Sequence, residues 1–177
     1  MRLFVGIAIP EDIREQLAGL RSGLAGTRWV DVEAMHLTLR FIGTVDEPSA
    51  ADLDDELKRI EAPAFELSIS GIGSFASGTQ LRQLWVGTEK SSPLYHLQSK
   101  VESAVVRAGF GSEGRKFKPH VTLARFRSAP RGVGAYMEAH NSFAAGPFAI
   151  STFTLFRSHL NRDGAQYEAL AEYPLGA

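Results

Sequence analysis

Cysteine is absent from this chain. Its absence excludes disulfides and thiolate metal sites, and it makes a reducing, cytoplasmic setting the expectation. A surplus of one charge is missing as well: 19 Lys and Arg stand against 20 Asp and Glu, a net charge of −1. Proteins that grip a long stretch of nucleic acid are usually basic, so extended RNA binding is not supported. A small anionic group, or one nucleic-acid end, stays open. Long hydrophobic runs are lacking too. Residues 1–9 are apolar, but they are too short to cross a bilayer and are followed by Pro10-Glu11-Asp12 rather than by small residues. They read as a buried strand, with no membrane association and no signal peptide. What is present is 177 residues with 44% apolar content, which suits a single domain, residues 1–177, with a sizeable core.

Two short stretches stand out, Met35-His36-Leu37-Thr38-Leu39 and Pro119-His120-Val121-Thr122-Leu123. Each is a His-x-Thr in an apolar run that reads as a strand. Side chains alternate along a strand, so His36 and Thr38 share one face, as do His120 and Thr122. The intervening Leu37, Leu39, Val121 and Leu123 point to a core. One such motif arises readily by chance, and strand threonines or histidines are often merely structural. Two in matched surroundings are far less expected. His96, His140 and His159 have no such company and read as surface residues.

The pattern around the motifs repeats. Pro10 and Pro93 open helices 83 residues apart, His36 and His120 are 84 apart, and Phe65 and Phe148, each opening a strand, are 83 apart. A repeated unit of this length predicts two lobes related by a pseudo-two-fold axis, with the motif strands facing a shared cleft. In order, the chain predicts a strand over 2–9 and a helix from Pro10 with Ile13, Leu17, Leu20 and Leu24 inward, ended by Gly23 and Gly26. A short strand at Trp29-Val30 and the first motif strand, 35–42, come next. A helix from Asp46 carries Leu53, Leu57 and Ile60 inward. Strands at 65–70 and 84–86 flank a glycine-loosened loop. A helix capped at Ser92-Pro93 runs to about 108 and leads to the second motif strand, 119–126. A short helix over 133–140, a strand from Phe148 to Phe156 and a last strand over 166–173 complete the chain.

Two imidazoles without a partner nucleophile fit acid–base catalysis, one taking a proton from water and the other giving one to a leaving oxygen. The Thr38 and Thr122 hydroxyls, with an arginine, would hold the oxygens of a phosphate. Residues 115–131 are basic (Arg115, Lys116, Lys118, Arg125, Arg127 and Arg131, without an acid) and read mostly as a solvated face. Arg125 is the exception because it ends the second motif strand, although its parity is opposite to His120, so the strand must bend, twist or end to bring it in. Arg40 has the matching parity and is the weaker candidate. A zinc site needs three or four ligands, and neither histidine has a carboxylate at ligand spacing, so no metal is expected.

The sequence resembles the 2H phosphoesterase superfamily, and within it the RNA 2′,3′-cyclic phosphodiesterases once called 2′-5′ RNA ligases. The resemblance runs through Arg2-Leu3-Phe4-Val5, Trp29-Val30, His36-Leu37-Thr38-Leu39-Arg40-Phe41-Ile42-Gly43, Leu84-Trp85, Lys118-Pro119-His120-Val121-Thr122-Leu123-Ala124-Arg125 and Leu155-Phe156-Arg157-Ser158. It implies an α+β, bilobal fold of antiparallel-rich sheet with helices outside and both motifs in a central cleft. It implies opening of an RNA-terminal 2′,3′-cyclic phosphate to a 2′-phosphomonoester, with no metal or other cofactor, in a monomer. His36 would be the general acid and His120 the general base, although the residue types alone leave that division open. Thr38, Thr122 and Arg125 would bind the phosphate. Some members also join tRNA halves in reverse through a 2′-5′ linkage. Two alternatives remain: a 2H enzyme for a small cyclic nucleotide or ADP-ribose cyclic phosphate, and a non-catalytic module that holds nucleotide phosphates. An aromatic at the cleft, Phe41 or Phe156, would favour a nucleotide.

Overall fold

The computed structural model describes residues 1–176. Strand β1 (Arg2–Ala8) is buried along five consecutive residues, as a strand covered on both faces requires. Pro10 precedes α1 (Glu11–Ala18), whose Ile13 and Leu17 face the core. The helix stops at Gly19, where the Gly19 and Leu20 N–H groups donate to the Gln16 and Leu17 carbonyls. Leu20 and Leu24, predicted to lie on this helix, are buried from the turns that follow it. The predicted strand at Trp29-Val30 is one bridge, Trp29 to Ala124, reinforced by the Val30 N–H on the Leu123 carbonyl at 2.8 Å. A single tight turn, Val32–Ala34, then leads into β2 (His36–Thr44), which carries the first motif.

Helix α2 (Glu47–Lys58) starts where the Asp46 carboxylate accepts from the Ser49 N–H at 2.8 Å. Strand β3 (Phe65–Ser77) continues through Gly71 and Gly73 rather than loosening there, and turns tightly into β4 (Gln80–Thr88). Helix α3 (Ser92–Arg107) is capped by Ser91, one residue earlier than predicted, and buries Leu94, Leu97, Val101, Ala104 and Val105. The second motif lies on β5 (His120–Arg125), followed by α4 (Val133–His140), β6 (Ala144–Ile150), β7 (Thr152–Asn161) and β8 (Gly164–Pro174).

The eight strands form one antiparallel sheet in the order β6-β3-β4-β5-β2-β1-β7-β8. Its central join is slight: β2 and β5 are paired only at Leu37 and Val121. The sheet therefore reads as two four-stranded halves, and the fold is α+β and bilobal. The units β1-α1-β2 and β4-α3-β5 occupy equivalent places, which puts the two motif strands innermost. The prolines and histidines mark this symmetry correctly. Phe65 and Phe148 do not, because β3 and β6 are neighbours in one half, with Leu67 opposite Phe148. The predicted strand from Phe148 to Phe156 is also two strands. The chain changes partners at Ser151, pairing with β3 before it and with β1 after it. Among the described residues, no helix is long and apolar enough to cross a membrane.

Candidate active site

Each motif strand carries an extra residue against its neighbour directly after the motif threonine. On β2, His36, Thr38 and Phe41 lie opposite Ala8, Gly6 and Phe4 of β1, and Leu39 is unmatched. On β5, His120, Thr122 and Arg125 lie opposite Gly87, Trp85 and Gln83 of β4, and Leu123 is unmatched. Such a bulge resets the alternation of faces. It turns Arg125 onto the face of His120 and Thr122, against simple parity. By the same shift Arg40 leaves the motif face. Its Nη2 donates to the Gly111 carbonyl at 2.6 Å and its Nε lies 3.3 Å from the Glu102 carboxylate, so it ties β2 to α3 at the wall of the cleft.

His36, Thr38, His120, Thr122 and Arg125 line one cavity of about 650 Å³. All five sequence-predicted residues are thus brought together. The imidazoles are held alike. His36 Nδ1 is 2.9 Å from the Ala34 carbonyl, and His120 Nδ1 is 2.6 Å from the Lys118 carbonyl. A carbonyl only accepts, so Nδ1 carries a proton in both rings and Nε2 is the nitrogen that exchanges one. The Thr38 hydroxyl lies 2.8 Å from His36 Nε2 and donates to it when the ring is neutral.

The surroundings differ. His36 packs against Phe4 at 4.5 Å and meets the edge of Tyr167 at 4.9 Å between ring centres. Beside it, Gly6 lets β1 and β2 approach closely, since a Cβ there would sit 2.8 Å from the Leu37 carbonyl. His120 meets Phe75 edge-on at 4.9 Å and Trp85 at 5.8 Å. Trp85 in turn fills the space that Gly73 leaves free. Burial lowers the His36 pKa from 6.5 to about 4, with Arg125 and His120 adding to the effect and the Ala34 carbonyl opposing it. His120 is lowered as well, by burial first and then by Arg125, against the Lys118 carbonyl. Both rings are therefore neutral at pH 7.

Sequence reasoning missed much of the wall. Phe75, Gln83 and Phe117 line the cavity, and Lys116 and Lys118, read as solvated, face it too. Nothing in the local sequence marks Phe75, because its place depends on β3 extending beyond its glycines. Phe41 lines the cavity and is 46% exposed, with the Arg2 guanidinium 5.1 Å from its ring centre. Phe156 stacks on Phe4 at 5.0 Å, behind His36. Among the described residues no three His, Cys, Asp or Glu side chains cluster closely enough to hold a metal.

A family model described as LigT-like phosphoesterase matches this chain twice, over residues 7–85 and again over 86–167, once for each motif. The chain belongs to the LigT-like phosphoesterase family. It is an enzyme of the phosphoesterase class. The RNA 2′,3′-cyclic phosphodiesterase of Aeropyrum pernix is 34% identical over 165 residues, covering 89% of this chain and 93% of that protein. The Bacillus subtilis protein of the same name is 32% identical over 179 residues, covering 97% and 95%. The crystal structure of LigT from E. coli in apo form matches with a TM-score of 0.81 and 28% identity, covering 99% of this chain and 98% of that one. That protein has also been crystallised with 3′-AMP.

Proposed function

We propose that this LigT-like phosphoesterase opens a 2′,3′-cyclic phosphate at the 3′ end of an RNA, leaving a 2′-phosphomonoester, by two-histidine acid–base catalysis without a metal. The observation that carries this reading is the matched pair of imidazoles, each with Nδ1 fixed on a carbonyl two residues back. That arrangement orients two proton-transfer groups around one phosphate. His120 takes a proton from water as the water oxygen attacks phosphorus. The P–O3′ bond breaks, and His36 delivers a proton to O3′. Thr38, Thr122 and Arg125 hold the non-bridging oxygens, whose charge grows in the transition state.

The anion is integral to this scheme. His36, lowered to about 4, is neutral alone, and a phosphate beside it supplies the negative charge that favours its protonated form. Once charged, it gives up its proton readily. The nucleoside lies toward Phe41. With a 5′-hydroxyl in place of water, the same displacement at phosphorus, with P–O3′ broken and O3′ protonated, forms a 2′-5′ linkage, and its reversal cleaves one.

A smaller substrate is the second reading, favoured by one observation: a cavity of about 650 Å³ accommodates a single nucleotide. Incubating a short RNA that ends in a 2′,3′-cyclic phosphate with the protein in EDTA, and following its mass, tests the proposal. Gain of one water is expected. An unchanged RNA alongside a hydrolysed nucleoside 2′,3′-cyclic phosphate would give the smaller substrate precedence.

A further inference from the structure

The catalytic cleft is not the only hollow that Arg125 borders. On its other side lies a second cavity of about 140 Å³. Its walls are Trp29 and Tyr167, with Arg28, Asp31 and Asp163 beside them. This is the room of one planar heterocycle. Trp29 is half-buried and held in place, bridged to Ala124 and packed on Tyr136 at 5.7 Å. Arg125 lines both cavities, and Tyr167, in the wall of the second, meets the edge of the His36 ring at 4.9 Å.

The pseudo-two-fold axis explains why a hollow is found here. The main cleft extends over residues 113–118, the approach to His120. The second cavity sits over residues 28–34, the approach to His36. The fold thus gives a central phosphate two flanks. One flank has Phe41 at the position where the other has Arg125.

The charges on the second flank balance, Arg28 and Arg125 against Asp31 and Asp163. A second phosphate gains little in such a place. A nucleoside, with ring amino donors, ring acceptors and ribose hydroxyls, matches both the paired charges and the aromatic walls.

We infer that the Trp29–Tyr167 cavity is a subsite for the nucleoside adjoining the one that bears the cyclic phosphate. The inference rests on the reading of the main cleft given above and makes the enzyme a reader of oligonucleotide ends rather than of free nucleotides. The neighbouring base stacks on the two aromatic rings, Asp31 and Asp163 accept from it, and Arg28 donates to it.

The test compares kcat/KM for a nucleoside 2′,3′-cyclic phosphate with that for a dinucleotide and a trinucleotide ending in the same group. The proteins are wild type, Arg28→Ala and Trp29→Leu. Arg28 is exposed, so its replacement leaves the fold intact. Wild type is expected to prefer the dinucleotide by about tenfold or more, with little further gain from the trinucleotide. Arg28→Ala and Trp29→Leu are expected to reduce that preference while Arg28→Ala leaves the mononucleotide rate unchanged. Equal rates on all three substrates in wild type, or an Arg28→Ala variant that slows all three alike, would overturn the subsite. Failure to turn over any cyclic phosphate would instead overturn the reading of the main cleft.

Discussion

Phe41 and Arg125 occupy the same position in the two halves of the sheet, 84 residues apart. Each follows a bulged leucine, and each faces the cleft beside its motif, Phe41 across from Phe4 and Arg125 across from Gln83. The symmetry that pairs the histidines and threonines is broken here, by an aromatic ring on one side and a guanidinium on the other. In the proposed reaction the guanidinium takes the phosphate charge. Arg125→Gln is expected to lower kcat/KM by about 10²–10³. Arg125→Lys restores only part of it, since a lysine lacks the planar fork that meets two oxygens at once. Steady-state kinetics on an RNA-terminal cyclic phosphate check this, and an Arg125→Gln enzyme as fast as wild type would remove Arg125 from the scheme.

That arginine also marks the limit of what the sequence makes legible. The motif strands, their shared face and the two-lobed repeat follow from periodicity and spacing, because strand alternation and helix capping are local. Arg125 and Arg40 exchange roles relative to simple parity, because the bulges at Leu39 and Leu123 exist only through pairing with β1 and β4. The change of partner at Ser151 is only partly legible: the large apolar residues shift from even positions at Phe148 and Ile150 to odd ones at Phe153 and Leu155, but which strand each segment adjoins is decided far away in the chain. Phe4, Tyr167 and Phe75, the rings around the histidines, come from three distant strands and carry no local signature.

The pH dependence of turnover follows from the lowered histidines. The proposed acid must be charged and the proposed base neutral, so the rate is bell-shaped in pH. For kcat/KM, which reports the free enzyme, both limbs are set by pKa values below 6.5, with His36 at about 4. The kcat/KM optimum is therefore expected below pH 6.5. For kcat, where a bound phosphate raises both rings, the optimum moves to higher pH. Profiles flat from pH 5 to 9 would contradict the two-histidine scheme.

Stability carries the same signature. With His36 at about 4 in the folded chain and an ordinary 6.5 when unfolded, the unfolded state binds more protons between those values. Stability is then complete above pH 6.5 and falls as the pH drops toward 4, by on the order of 3 kcal/mol for this residue. Replacement by a side chain that does not titrate removes that part of the slope. In denaturant melts from pH 7 to 4, wild type is expected to lose on the order of 3 kcal/mol more stability than His36→Gln, and parallel curves would contradict the burial of a neutral ring.

The division of labour between the histidines has its own test. A 3′-sulfur in the cyclic ester makes a leaving group that departs without a proton. If His36 is the acid, His36→Ala is expected to recover most of its lost rate on that substrate, while His120→Ala stays slow. Rescue of His120→Ala instead would exchange the two roles.

The most direct measurement is phosphorus NMR of an RNA ending in a 2′,3′-cyclic phosphate, incubated in EDTA with wild type, His36→Ala and His120→Ala. The account predicts complete conversion to the 2′-phosphomonoester by wild type and a loss of about 10² or more in rate in each variant. A 3′-phosphate product, a reaction abolished by EDTA, or full activity after loss of either histidine would contradict it.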